Sequence, residues 1–131
     1  MPTDQTPSAY EMLGGETVLR RLVQRFYEVM DTLPEAKPLR DMHPDLPRAE
    51  EKLFMFLSGW LGGPGLYEEK FGHPRLRARH LSFKIDKPER DQWMICMMHA
   101  VEDVGIQDPL RSELLSALLN LADHMRNQGP R

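Results

Sequence analysis

The feature that most constrains the fold is a recurrence of apolar residues at steps of three and four along residues 16–30. The apolar positions are Leu19, Leu22, Val23, Phe26, Tyr27 and Met30. This spacing places all of them on one side of an α-helix. A helix with one apolar stripe must bury that stripe against another element, so the segment predicts a long helix, about Glu16–Met30, packed into a core.

Three further segments have the same helical spacing and are separated by prolines and glycines. They begin near Pro47, Asp86 and Asp108, and they end at the glycines of 62–65, at Gly105 and near Met125. An aspartate (Asp45, Asp86 or Asp108) stands before a proline in the first turn of each, which is typical of a capped helix start. Loops or short turns are predicted for 31–46, a loop for 64–75, and a short helix for 75–82.

The bulk composition narrows the class of protein. The chain has 131 residues, a net charge of −3 and a single cysteine, Cys96. These values disfavour a general nucleic-acid binder, and no apolar run is long enough to cross a membrane. Without strand alternation or repeats, the sequence predicts one all-α domain over 1–131, with residues 1–9 and 127–131 as disordered tails. The lone cysteine and the absence of a signal peptide predict a cytoplasmic protein.

Two of the five histidines are candidates for chemistry, His43 and His80. His73 precedes a proline in a loop, and His99 and His124 are predicted to be exposed. His80 lies on the predicted short helix directly after Arg79, and a single imidazole beside cations suits haem. Haem needs one axial protein ligand, and its propionates need Arg or Lys. No Cys-x-x-Cys-His motif is present, so the cofactor expected is noncovalent haem b.

The chain resembles the truncated haemoglobins of group II along most of its length, from about Tyr10 to Met125. The matching segments are "RFYEVM", "FLSGWLGGPGLYEEKFGHPRLRARHLSF" and "DQWMICMMHAVEDVG". The resemblance implies a shortened globin, in which helix pairs cross two-over-two around a haem. It also implies that His80 is the proximal ligand of the iron.

The resemblance assigns the remaining site residues one by one. On the distal side it implies Tyr27 and Trp93 as hydrogen-bond donors to a bound ligand, with Ala49 and Leu53 facing that ligand. It implies propionate contacts from Arg79, Lys52 and Tyr67, and haem packing by Phe56, Phe83 and Met97. Core packing is the alternative role of both distal aromatic residues.

His43 departs from the family pattern, because many relatives carry an aromatic residue at this position. If it faces the pocket, it can donate to the ligand or to Tyr27, or bind iron as an internal sixth ligand. Tyr27 is a second candidate for that sixth position. The alternative for His43 is a loop histidine beside Pro44.

The expected function is therefore binding of O2, NO, CO or similar small ligands at a haem iron. The iron is expected to be penta-coordinate, or hexa-coordinate with a side chain of the protein as its sixth ligand. The task is expected to be O2 binding and transport, or redox detoxification of NO or peroxide. Because the sequence has no flavin domain, dioxygenase-like or peroxidase-like turnover would need a separate reductase. A monomer or weak homodimer is expected. The alternative is a helical interaction protein without haem that docks partners through a face formed by its nine methionines.

Overall fold

The computed structural model describes residues 7–73 and 86–125, and most of these are helical. The helices are α1 (Ala9–Leu13), α2 (Gly15–Thr32), a 3₁₀ helix (Pro34–Ala36), α3 (Lys37–Asp41), α4 (Leu46–Trp60), α5 (Leu66–Phe71), α6 (Lys87–Val104) and α7 (Leu110–His124). No strand occurs within these two ranges. The predicted all-α class is confirmed.

The helices form two pairs around one core. α2 packs against α4, α6 packs against α7, and the contact between α2 and α6 joins the two pairs. Every predicted stripe residue of α2 is buried, and Leu19, Val23 and Phe26 have no exposed surface. Helix α2 is therefore the central element of the core.

Two predicted helix starts are confirmed by their caps. The Asp45 carboxylate accepts a hydrogen bond from the Arg48 backbone N–H (3.2 Å), and α4 starts at Leu46. Asp86 caps α6, where the Glu89 carboxylate accepts a reciprocal hydrogen bond from the Asp86 N–H (2.8 Å). These bonds satisfy amides that have no partner inside a helix.

The loop predicted for residues 64–75 is wrong over Leu66–Phe71, which form α5. This helix is stabilised by aromatic contacts, since the ring of Tyr67 lies 4.9 Å from that of Phe71 and 6.5 Å from that of Phe56 on α4. A six-residue helix contains too few apolar residues to show a periodicity, so its sequence resembled a loop. The rest of the predicted loop is non-helical at 64–65 and 72–73, and the short helix predicted at 75–82 lies outside the described residues.

The predicted N-terminal tail is wrong at its inner end, because Ser8 caps α1 and Ala9 begins it. The segment is anchored on the end of α4, where the Tyr10 N–H donates to the Leu61 carbonyl (2.9 Å). The Tyr10 ring lies so close to Gly63 that a Cβ there would come within 2.5 Å of it. Residues 1–6 and 126–131 lie outside the described ranges.

The start of the last helix needs a smaller correction, since α7 begins at Leu110 rather than at Pro109. The N-cap residue is Pro109 and not the predicted Asp108, whose carboxylate one residue earlier still accepts from the Ser112 N–H (3.0 Å) and hydroxyl (2.6 Å). In the part of the chain that the structure describes, every helix is too short or too polar to cross a lipid bilayer.

Two adjacent leucines of α7 test this packing. Leu118 is 1% exposed and Leu119 is 42% exposed. Leu118→Ala removes buried methyl groups and leaves a cavity, so we expect it to lower the free energy of unfolding by about 2–5 kcal/mol. Leu119→Ala should change it by less than about 0.5 kcal/mol. Urea denaturation followed by circular dichroism measures both, and equal losses would contradict the assigned face of α7.

Candidate functional site

A cavity of about 610 Å³ lies between α3, α4, α6 and α7. Its volume falls in the range of sites that hold small molecules and cofactors. Most of its wall is apolar. It is lined by Tyr27, Leu39, Met42, His43, Pro44, Asp45, Arg48, Ala49, Lys52, Leu53, Phe56, Tyr67, Glu89, Arg90, Trp93, Leu121, Ala122 and Met125.

The structure brings most of the predicted site residues together in this one cavity. Of the nine that it describes, eight line the wall: Tyr27, His43, Ala49, Lys52, Leu53, Phe56, Tyr67 and Trp93. The ninth, Met97, is fully buried in the core and does not line the cavity, so its contact with haem stays a prediction. His80, Arg79 and Phe83 lie outside the described residues.

Helix α4 has two apolar faces, where the sequence predicted one. Phe54 and Leu57 are buried in the core, whereas Ala49, Leu53 and Phe56 are half-buried and face the cavity. Because the cavity holds no protein atoms, these three side chains are left partly uncovered. Apolar side chains at core-like positions that the protein itself does not cover indicate a wall built for a ligand.

Trp60, the last residue of α4, is exposed. Its ring lies 6.4 Å from that of Phe56 and is nearly parallel to it. The helix ends at this residue, so no further turn of α4 covers the indole.

Tyr27 and Trp93 present hydrogen-bond donors to the cavity. Tyr27 is only 6% exposed, and both residues line the wall. Among the described residues neither the Tyr27 hydroxyl nor the Trp93 indole N–H has a hydrogen-bond partner. No buried side-chain polar atom of the described residues lacks a partner, so these two atoms are open to the cavity, where a bound molecule can accept from them.

The environment keeps Tyr27 in its neutral, donating form. Burial raises the pKa of its phenol well above the ordinary value, and the nearby Glu50 carboxylate raises it further. Burial also raises the pKa of Glu50 itself, with added repulsion from Glu28 and Glu51. At neutral pH the phenol therefore carries its proton and remains a donor.

His43 lies on the wall beside Tyr27, with the two ring centroids 6.0 Å apart. Its Nδ1 lies 2.9 Å from the Leu39 carbonyl oxygen, and because a carbonyl only accepts, Nδ1 carries the proton. In a neutral imidazole Nε2 then has a lone pair. His43 can thus accept a hydrogen bond or bind a metal through Nε2, but the neutral ring cannot donate from that atom.

Cations stand along α4 at the cavity. Lys52 places its ammonium 5.4 Å from the centre of the Phe71 ring, and Arg48 lies one helical turn earlier. The Arg48 guanidinium has no ion pair among the described residues. Arg90 differs, because it donates to Asp123 (2.7 Å) and so ties α6 to α7. Lys52 and Arg48 are therefore the cations available to an anionic group.

Sequence reasoning missed several wall residues. They are Leu39, Met42, Pro44, Asp45, Arg48, Glu89, Arg90, Leu121, Ala122 and Met125. Leu121 and Met125 lie at the C-terminal end of α7, and both are half-buried at the cavity wall. Of these residues, Arg48 is the one that a sequence signal could have identified. It lies four residues before Lys52 and therefore on the same face of α4.

The methionines mainly fill the interior and the cavity wall. Among those described, Met30, Met55, Met94 and Met97 are buried, Met42 and Met125 line the cavity, and Met12 and Met98 are exposed. This distribution gives no support to a docking face built from methionine.

A model of the bacterial-like globins matches residues 8–127 of the chain. A group 2 truncated hemoglobin of Bacillus subtilis (strain 168) is 43% identical over 119 residues, which cover 91% of this chain and 88% of that protein. The structure of a cold-adapted truncated hemoglobin from Pseudoalteromonas haloplanktis TAC125 has 48% identity and a TM-score of 0.90, covering 94% of this chain and all of that one. A group II 2-on-2 hemoglobin from Agrobacterium tumefaciens has 43% identity and a TM-score of 0.91, covering 98% and 100%.

Cys96 lies in the core, outside this cavity, and has no exposed surface. Burial raises the pKa of its thiol to about 11. At pH 8 only about one thiol in a thousand is then ionised, and the thiolate is the reactive form. We expect a thiol reagent at pH 8 to label the native protein at least about 100-fold more slowly than the urea-unfolded protein. Mass spectrometry measures both rates, and fast stoichiometric labelling of the folded chain would contradict the assigned burial.

Proposed function

The chain belongs to the globins, as a group II truncated haemoglobin with the two-on-two fold, and from this premise we propose that it binds haem b noncovalently and retains O2 and other diatomic ligands. The observation that carries the proposal is the pair of donors, Tyr27 and Trp93, that face one apolar cavity without a partner among the described residues. Two donors directed at one cavity are suited to a small ligand that gains negative charge when it binds.

The described residues fit a haem in size and chemistry. The cavity is large and mostly apolar, and Lys52 and Arg48 stand on its wall as partners for carboxylates. When bound, haem would supply an iron that takes one ligand from the protein and binds one diatomic molecule. The only cysteine of the chain, Cys96, is buried outside the cavity, which favours noncovalent binding.

Each wall residue then has a role set by its chemistry. The Tyr27 hydroxyl and the Trp93 indole donate to the ligand, and their donation is strengthened because the apolar wall excludes water. Ala49 leaves space beside the ligand since its side chain is a single methyl group. Leu53 forms an apolar part of the distal wall.

The cofactor's own contacts are proposed for three groups of residues. His80 would bind the iron, and its other ring nitrogen would donate to a backbone carbonyl. Lys52, Tyr67 and Arg79 hold the propionates. Phe56, Phe83 and Met97 pack against the ring. Support for this assignment comes from the position of His80 in the family pattern and from the cavity positions of Lys52, Tyr67 and Phe56.

The two donors favour slow release of O2, which suits a protein that consumes its ligand better than one that delivers it. We therefore place redox detoxification of NO or peroxide ahead of oxygen transport. Oxidation of NO needs an electron donor to restore the iron, and we expect a separate reductase to supply it. A cytoplasmic location, with its reducing conditions, and a monomeric or weakly dimeric chain remain our expectations.

Replacement of either donor tests the proposal. Tyr27→Phe and Trp93→Phe each remove one hydrogen bond to a partly charged acceptor, which is worth about 1.5–3 kcal/mol. We expect the O2 dissociation rate of each variant to rise by roughly 10-fold to 100-fold. Stopped-flow mixing of the oxygenated protein with excess CO measures this rate.

Tyr10→Phe is the matched control, because Tyr10 lies at the N-terminus of the fold and does not line the cavity. Its dissociation rate should equal that of the unmodified protein. Unchanged rates in both cavity variants would refute the donor roles. A transport role would gain support from rapid O2 release by the unmodified protein.

A further inference from the structure

Helix α3 depends on other elements for its stability. It has five residues, which is too few for a helix to persist alone, and the amides of its first turn have no partner within it. Its N-cap residue, Ala36, has no side chain that accepts a hydrogen bond. The Leu39 N–H instead donates to the side-chain oxygen of Gln92 on α6, at 3.1 Å.

The same residue, Leu39, holds the ring of His43. Its carbonyl accepts from His43 Nδ1 at 2.9 Å. Leu39 is thus bound at its N–H by Gln92, and at its carbonyl by the histidine ring and by the Met42 N–H (3.1 Å). A displacement of Leu39 displaces the carbonyl that orients the imidazole.

The main chain of His43 is held separately. The Arg40 guanidinium donates to the His43 carbonyl (2.7 Å) and to the Asp31 carboxylate at the end of α2 (2.8 Å). Arg40 therefore helps to fix where the His43 backbone lies, while the Leu39 carbonyl helps to orient its ring. The ring orientation is the part that depends on α6.

We propose that Gln92 is a positioning residue of the ligand site, which acts through Leu39 to fix the His43 ring relative to Tyr27 and Trp93. Gln92 directly precedes Trp93, and neighbouring helix residues point about 100° apart. One residue faces the cavity and the other reaches α3. The position of α6 therefore determines the position of the Trp93 indole directly and influences that of the His43 imidazole through Leu39.

This inference rests on the proposed haem site and adds a residue that does not line the cavity. Without the hydrogen bond from Leu39, the first turn of α3 has an unsatisfied amide, and the carbonyl that orients His43 is less well fixed. The orientation of the His43 ring is then less well defined. A change in that orientation changes the electric field at a ligand beside Tyr27 and Trp93.

Three variants of the haem-loaded protein test the proposal. Gln92→Leu removes the acceptor at similar size, Gln92→Glu keeps an acceptor oxygen, and Gln24→Leu is the control on an exposed site of α2. The readouts are hydrogen exchange of the Leu39 amide, the ¹⁵N shifts of the His43 ring, and the C–O stretching frequency of the ferrous CO complex. The C–O frequency reports the polar groups next to the ligand.

For Gln92→Leu we expect Leu39 exchange to accelerate by about 10-fold or more, because one hydrogen bond is lost. We also expect altered His43 shifts and a split or displaced C–O band. Gln92→Glu and Gln24→Leu should retain the pattern of the unmodified protein. If Gln92→Leu does not fold, Gln92→Asn, whose amide is one methylene shorter, carries the same expectation.

Faster Leu39 exchange with unchanged His43 shifts and an unchanged C–O band would reduce Gln92 to a structural role and overturn the proposal. Unchanged exchange would overturn it as well. If the proposed function is wrong, the purified protein instead shows no haem absorbance. The exchange measurement does not require haem, so the two failures are distinguishable.

Discussion

The packing of Phe26 is the interaction on which the rest of the site depends. This ring is fully buried, and its centroid lies 4.8 Å from that of Tyr27 and 5.1 Å from that of Trp93. Tyr27 on α2 and Trp93 on α6 thus both pack against the same core residue. Because a buried aromatic ring has little freedom to move, the hydroxyl and the indole N–H are held in fixed positions before any ligand arrives. That preorganisation is what a ligand site needs from its scaffold.

The division between core and cavity runs along individual helices. On α2, Phe26 belongs to the core while its neighbour Tyr27 lines the cavity. On α4, Phe54 and Leu57 are buried while Leu53 and Phe56 remain half-covered. Each helix thus uses part of its apolar surface to hold the fold and part to form the wall. A cavity of this kind is stable because the core faces of the same helices are fully packed.

Much of the fold was predictable from the sequence, because long helices carry an unambiguous apolar period and start at recognisable caps. Asp45 and Asp86 lie where the sequence placed them. Short helices were less predictable, since α5 has too few apolar residues to reveal a period, and its stability comes from contacts with α4.

For the site, chemistry-bearing residues such as Tyr27 and Trp93 were predicted from family resemblance, whereas periodicity favoured a core role for them. Wall residues contributed by helix ends, such as Leu121, were missed because only the three-dimensional arrangement shows that they border the cavity. The bond between Gln92 and Leu39 joins residues 53 positions apart. Local sequence patterns contain no information on such a contact.

The central claim is that this cavity holds a haem whose iron is bound by His80. Its most direct test is resonance Raman spectroscopy of the ferrous, haem-loaded protein, compared with His80→Ala and with His99→Ala, a control at an exposed histidine. The account predicts one haem per chain and an iron–histidine stretching band. That band should be absent in His80→Ala and unchanged in His99→Ala. Failure to take up haem, or an unchanged band in His80→Ala, would contradict the account.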